Sequence, residues 1–223
     1  MQPFSVIAAG CETAGRLVLL RMMRTVTDRI SSPRSVVANH FLEHQSVVAK
    51  LDEQLGDLVV TVATVLSQAL RDGGVIYWCG NGGSASDSQH LAAELVGRFR
   101  KDRRPLGSVA LSSDTSVLTC VANDFGYEKI FSRQIESLGR RGDVLVAIST
   151  SGNSMNVVEA VKSARQAEIA TIGLLGGSGG MLRELVDYPM LVPSTFTARI
   201  QESHILIGHI LCDLIEINLG LAG

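Results

Sequence analysis

The 223-residue sequence predicts an α/β fold: a parallel sheet flanked by helices, with helices leading into the first strand and one long helix closing the chain. Three observations carry this prediction. Short, mostly apolar runs at 75–79, 143–148 and 169–174 have the length and continuity of strands buried on both faces. Loops rich in Gly and Ser follow such runs at 80–84, 149–154 and 176–180. Stretches with helical spacing then follow, so strand, loop and helix recur in that order.

Taken in order, positions 1–34 carry five arginines against Glu12 and Asp28 and lack a small-residue cleavage site after a long apolar core. They read as an extension outside the fold, disordered or preceding a true start at Met22 or Met23, and 35–223 as a single domain. From Ser35 to Leu70 the apolar residues Val36, Val37, Phe41, Val47, Val48, Leu51 and Leu55, then those of 58–70, predict two amphipathic helices. The first strand, 75–79, leads through Gly80-Asn81-Gly82-Gly83-Ser84 into a helix bearing His90 and Glu94. A basic loop with Pro105, a strand at 108–111, and helices at 116–122 and 129–138 come next, before a turn at Gly139 and Gly142. The strand at 143–148 runs through Ser149-Thr150-Ser151-Gly152-Asn153-Ser154 into a helix carrying Val157, Val158, Ala160, Val161 and Ala164. A strand at 169–174, a glycine loop at 176–180, a short helix at 181–186 and a last strand at 190–192 complete the alternation. The closing segment 197–219 is too apolar for a freely solvated helix, so it packs in the core or between subunits.

Composition narrows the class of function. At 46% hydrophobic and 19% charged residues the chain has an ordinary globular make-up. A net charge of −2 gives no overall basic field, so nucleic-acid binding through phosphate neutralisation is not expected. The cysteines at 11, 79, 120 and 212 form no Cys-x-x-Cys pair, which argues against a zinc ribbon or dithiol centre and for reduced thiols in a cytoplasmic setting. No apolar run reaches the roughly 18–20 residues of a membrane span.

Two loops carry binding chemistry. The stretch 149–154 sets hydroxyls and backbone N–H groups at a helix N-terminus, where unsatisfied donors and the helix dipole favour a phosphate. Taken alone, a simple Ser or Asn cap explains it better. A second Gly/Ser loop at 80–84, also following a buried strand, shifts the balance toward a ligand. Neither loop ends in Gly-Lys-Ser/Thr nor has the Gly-x-Gly-x-x-Gly spacing, so a phosphorylated small molecule is favoured over a nucleotide.

His90 and Glu94, four residues apart, share one helix face and suit metal ligation, acid/base work or an ordinary surface pair; by themselves they favour the last. Gln201 and His209 are separated by about 80° around an ideal helix, and His204 lies about 60° from Gln201 on the other side. Spacing does not choose between the two histidines. Asn123-Asp124 before Phe125-Gly126 reads as an Asx-stabilised turn or as a grip on sugar hydroxyls. The basic run Arg98, Arg100, Lys101, Arg103, Arg104 reads as a solvated loop or as an attractor for an anion or an acidic subunit face.

Together, the motifs 79–84, Gln89-His90, Ala93-Glu94, Asn123-Asp124, Phe131-Ser132-Arg133-Gln134, Gly142-Asp143-Val144-Leu145, 149–154 and Arg199-Ile200-Gln201-Glu202 resemble the sedoheptulose 7-phosphate (phosphoheptose) isomerase family of the sugar isomerase (SIS) fold, a flavodoxin-like parallel sheet. The resemblance covers 35–219. It implies that Asn81, Gly82, Gly83, Ser84, Glu94, Asn123, Asp124, Ser149, Thr150, Ser151, Ser154 and Gln201 contact the sugar phosphate, with 149–154 holding the phosphate. It further implies that His90, Glu94, Gln201 and His209 hold one divalent ion, usually zinc, and that Glu94 and His209 form the acid/base pair. The implied reaction converts D-sedoheptulose 7-phosphate to D-glycero-D-manno-heptose 7-phosphate through an enediol, in a homotetramer of the cytoplasm with no nucleic-acid or membrane partner. Ala198 stands where some members have an aspartate. Two other readings compete: a noncatalytic relative that scaffolds a replication initiator and lacks residues equivalent to Glu94 and His209, and a different phosphosugar isomerase or sensor.

Overall fold

The structure is a computed structural model that describes residues 32–221, and the expected extension lies almost wholly outside these. The chain divides into two units between Gln45 and Ser46, a boundary inside the first helix, α1 (Pro33–Arg71). In the first unit Val36, Val37, Phe41 and Leu42 are exposed on the opening turns. The second unit holds every strand among the described residues.

Pro33 opens α1, at the first helical position where its missing N–H costs nothing. The expected pair of helices is instead this single helix of 39 residues. Its stripe Val47, Leu51, Leu55, Val59, Val62, Leu66 and Leu70 keeps three- and four-residue steps without a break. Gly56, in its middle, costs about 1 kcal/mol relative to Ala, too little to end a helix so well packed.

Strands β1 (Ile76–Gly80), β2 (Ser108–Ala110), β3 (Val144–Ser149), β4 (Ala170–Gly176) and β5 (Tyr188–Val192) form one sheet in the order β2-β1-β3-β4-β5, with every pair parallel. Side chains alternate between two cores. Ile76 and Trp78 of β1, with Val144, Val146 and Ile148 of β3, pack against α1, α2 (Gly83–Val96) and α6 (Thr197–Asn218). Tyr77, Cys79, Leu145 and Ala147 face the opposite layer, built from α3 (Thr115–Phe125), α4 (Ser132–Leu138) and α5 (Met155–Gln166). Pro189 sits in edge strand β5, which tolerates a missing donor.

Two expected helices differ in kind. The segment expected at 129–138 splits into a 3-10 turn, Tyr127–Lys129, and α4; that at 181–186 is the 3-10 turn Gly180–Glu184. Asn123 and Asp124 lie in the last turn of α3 rather than in an Asx turn, because Asp114 starts that helix by accepting from the N–H groups of Ser116 and Val117 and nothing breaks it before Gly126.

The strand order reverses direction between β1 and β3, and in such sheets ligands bind beyond the carboxyl ends of the strands at that reversal. Gly80 of β1 lies in register with Ile148 of β3, so the loops 80–84 and 149–154 leave the sheet side by side.

Candidate active site

The two loops are built differently. At 149–154 the Ser149 and Ser154 hydroxyls lie 3.2 Å apart, and the Gly152 N–H donates to Ser149 Oγ at 3.1 Å. Ser154 occupies the N-cap of α5, yet its side chain makes no capping bond. Capping by Ser154 therefore does not account for this loop; the Val157 and Val158 N–H groups of the first turn of α5 bond the Ser154 carbonyl, and its dipole is directed at the crevice.

The loop at 80–84 is tied to α5 by an amide pair that sequence reasoning missed. Asn81 Nδ2 donates to Asn156 Oδ1 and Asn156 Nδ2 donates back to Asn81 Oδ1, both at 2.8 Å, while the Tyr127 hydroxyl donates to Asn81 Oδ1 at 3.0 Å. Asn156 is buried and also accepts from its neighbour's N–H, that of Val157, at 3.0 Å. The Asn81 carbonyl oxygen is thus taken up by the protein, while Nδ2 spends one of its two hydrogens on Asn156. Tyr127 follows Asp124 by three residues, so the end of α3 that bears the exposed Asn123 and Asp124 stands beside this loop. Ser84 is buried with its Cβ turned to Gly80. Gly83 lies under the Gln201 amide, which a side chain there would overlap.

On the facing helices α2 and α6, His90 Nε2 and His209 Nε2 are 2.9 Å apart, and Glu94 Oε1 is 3.4 Å from His90 Nε2. At Gly208 a Cβ would collide with Leu91, so this glycine lets the two helices approach closely enough for the neighbouring rings to meet. Of the two histidines that spacing left open, His209 faces His90, whereas His204 is 1% exposed with no hydrogen bond at either ring nitrogen. Burial pushes the His204 imidazole down to about 4, against an opposing pull from the Leu175 backbone. Asp87, one turn before His90, also escaped the sequence reading. One of its carboxyl oxygens is buried without a partner; burial pushes its pKa up and nearby His90 pulls it down.

Among the described residues no three His, Cys, Asp or Glu side chains are already spread around one point as metal ligands. The donor chemistry of three of the expected residues nevertheless fits zinc, two imidazole nitrogens and a carboxylate, whereas the amide of Gln201 lies over Gly83, two turns of α2 before His90. Two imidazoles on one tetrahedral zinc stand roughly 3.3 Å apart, so the pair has to open by only a few tenths of an ångström. The basic run is engaged with the protein, Arg98 with Asp102 at 3.5 Å and Arg100 with Asp213 at 2.9 Å.

The SIS domain family matches residues 39–176. A phosphoheptose isomerase of Nitratiruptor is 51% identical over 180 residues, covering 81% of this chain and 96% of its own. That of Geotalea daltonii is 53% identical over 173 residues, 78% of this chain and 90% of its own. The solved phosphoheptose isomerase of Neisseria gonorrhoeae superposes with a TM-score of 0.80 at 44% identity, over 83% of this chain and 100% of its own. With the loops, the facing helices and these relatives in agreement, the chain belongs to the SIS domain family and, within it, to the phosphoheptose isomerases, enzymes that isomerise phosphosugars.

Proposed function

We propose that this enzyme converts D-sedoheptulose 7-phosphate to D-glycero-D-manno-heptose 7-phosphate in the cytoplasm, supplying bacterial heptose units. The observation that carries the reading is the meeting of Glu94 and His209 at His90, on helices flanking the crevice where both Gly/Ser loops emerge. Ser149, Thr150, Ser151 and Ser154 anchor the phosphate at the α5 N-terminus. Gly82, Gly83, Gln201, Asn123 and Asp124 line the path of the sugar.

With the phosphate fixed, C1 and C2 of the open-chain sugar meet the two proton-transferring groups in one register, which removes most of the orientational cost. Glu94 and His209 then move the proton between C1 and C2 through the enediol. His90, Glu94, Gln201 and His209 would hold zinc, which when bound supplies Lewis-acid stabilisation of enediolate charge. A homotetramer is supported by large apolar side chains left exposed, among them Phe41, Leu42 and Val60. A reducing compartment suits Cys79 and Cys212, free and buried thiols held at about 12, by burial and, for Cys212, also by the Glu94 carboxylate.

Glu94→Gln and His209→Gln are each expected to lower kcat on sedoheptulose 7-phosphate by about 10²–10⁴-fold. Near-wild-type turnover in both variants would overturn the mechanism. Chelator treatment followed by zinc re-addition, scored on the same substrate, tests the metal assignment.

A further inference from the structure

One buried ion pair lies beside this site without taking part in the chemistry. Arg103 and Glu216 have side chains 1% and 0% exposed and meet at 2.8 Å. Arg103 gathers the chain around the end of α2: its guanidinium donates to the carbonyls of Glu94 at 2.8 Å, Leu95 at 2.8 Å, Gly97 at 3.2 Å and Arg104 at 3.0 Å. The Glu94 and Leu95 carbonyls are among those a helix end leaves without partners. Glu216 in turn accepts from the N–H groups of Phe99 at 3.1 Å and Arg100 at 3.3 Å. Burial pulls the Glu216 carboxyl upward, but the Phe99 amide, the Arg103 guanidinium and the Arg100 amide together hold it below the usual range.

The loop and the helix engage in register. His209, Asp213 and Glu216 follow one another at the four- and three-residue steps that share a helix face. Against them the loop sets the Phe99 ring, stacked on the His209 ring at 5.6 Å and 27°, then Arg100 on Asp213, then Arg103 on Glu216. A buried charge pair is weak support for stability, because an apolar pair of similar shape often does as well. What an apolar pair cannot reproduce is the directed set of bonds that joins the Glu94 backbone to the loop carrying Phe99.

We propose that Arg103 and Glu216 are positioning residues, fixing the 97–104 loop so that the Phe99 ring orients His209 while the end of α2 holds Glu94 opposite it. This rests on the assignment of Glu94 and His209 as the proton-transferring pair.

The test uses the full-length metal-free and zinc-loaded enzyme with three variants: Phe99→Leu, Arg103→Lys, and the double variant Arg103→Met/Glu216→Leu. Phe99→Leu is expected to lower kcat about tenfold with KM within about twofold and an almost unchanged Tm. Arg103→Lys keeps the charge without the planar fork and is expected to fall between Phe99→Leu and wild type. The double variant leaves the Glu94, Leu95, Gly97 and Arg104 carbonyls and the Phe99 and Arg100 N–H groups without these side-chain partners, so it is expected to melt lower and to lose about tenfold or more in kcat. In the metal-free protein the ring-current displacement of the His209 ring protons, read by NMR on histidine-labelled samples, is expected to vanish in Phe99→Leu and shrink in the double variant. Wild-type kcat in Phe99→Leu would overturn the proposal, and so would wild-type kcat or an unaltered His209 shift in the double variant. If the double variant does not fold, Phe99→Leu and Arg103→Lys decide on the same readouts. A wild-type enzyme inactive on sedoheptulose 7-phosphate would sink the functional reading alone, since the His209 shift judges the positioning without substrate.

Discussion

At the scale of single residues, the Asn81–Asn156 pair shows how a side chain outside the reacting groups controls the crevice. Each amide satisfies the other, so the loop after β1 and the start of α5 are held at a fixed separation. Asn156→Asp removes the donor that reaches Asn81 Oδ1 and sets a negative charge at the helix N-terminus proposed to hold the phosphate. KM for the sugar phosphate is expected to rise about tenfold, roughly 1.4 kcal/mol, with kcat changing less; steady-state kinetics checks the split. His204 makes a second prediction. Its imidazole is held at about 4 in the fold against an ordinary 6.5, so above 6.5 it is neutral in both states and contributes no pH dependence. As pH falls from about 6.5 toward about 4, the unfolded chain takes up a proton that the buried ring refuses, and about 3 kcal/mol of stability is lost. His204→Met should flatten that slope while leaving stability at pH 8 within about 1 kcal/mol, since the ring forfeits no ordinary hydrogen bond. Denaturant midpoints measured across pH 4–8 decide; equal slopes for the two proteins would reject the assignment. Neither residue was legible in the sequence. Asn156 is one more polar residue near a cap, and helical spacing placed His204 and His209 symmetrically about Gln201.

At the scale of elements, what could be read was whatever depended on local pattern. Strands β1, β3 and β4 announced themselves as apolar runs because both sheet faces are covered, and each boundary shifted by only one or two residues. The unity of α1 was harder to see. The stripe from Val47 to Leu70 is continuous, but a glycine in the middle of a helical pattern resembles punctuation until the packing that overrides it is known. Within the basic run, Arg98, Arg100, Lys101 and Arg104 are exposed as a solvated loop should be, and only the fold shows that Arg103 turns inward. Helix α3 tests whether local capping matters so near the site. Asp114 accepts two N–H bonds of the first turn, at 2.9 and 3.0 Å, and Asp114→Ala is expected to cost about 1 kcal/mol, or about 2–4 °C in Tm. A thermal melt checks this. A change below 1 °C would mean that packing around Val121 alone holds α3.

At the scale of the whole molecule, the sheet and both helix layers set the proposed phosphate-binding loop apart from the proposed reacting groups. In the proposed reading, the loop leaving β3 holds the phosphate, the loop leaving β1 lines the sugar, and side chains on α2 and α6 serve the reacting end. Those groups come from opposite layers of the sheet, α5 on one side and α2 with α6 on the other, so a bound sugar phosphate bridges layers that unfolding must part. Ligand binding should therefore appear as global stability. At a free concentration about 100 times Kd, a ligand specific for the folded state adds about 2.7 kcal/mol, which for a chain of this size is about 5–10 °C in Tm. Sedoheptulose 7-phosphate is expected to give this shift in Glu94→Gln as well as in the wild type, because the carboxamide keeps the shape of the crevice and leaves the phosphate grip untouched. Ser149→Ala/Ser154→Ala, which strips two hydroxyls from the phosphate loop, should lose most of the shift while melting near the wild-type temperature without ligand. Differential scanning fluorimetry of the three proteins against a concentration series, with turnover measured in parallel, separates the two functions. A full ligand shift in the serine double variant would mean that the phosphate sits elsewhere, and a shift lost with Glu94→Gln would mean that the reacting end, not the loop, supplies the affinity.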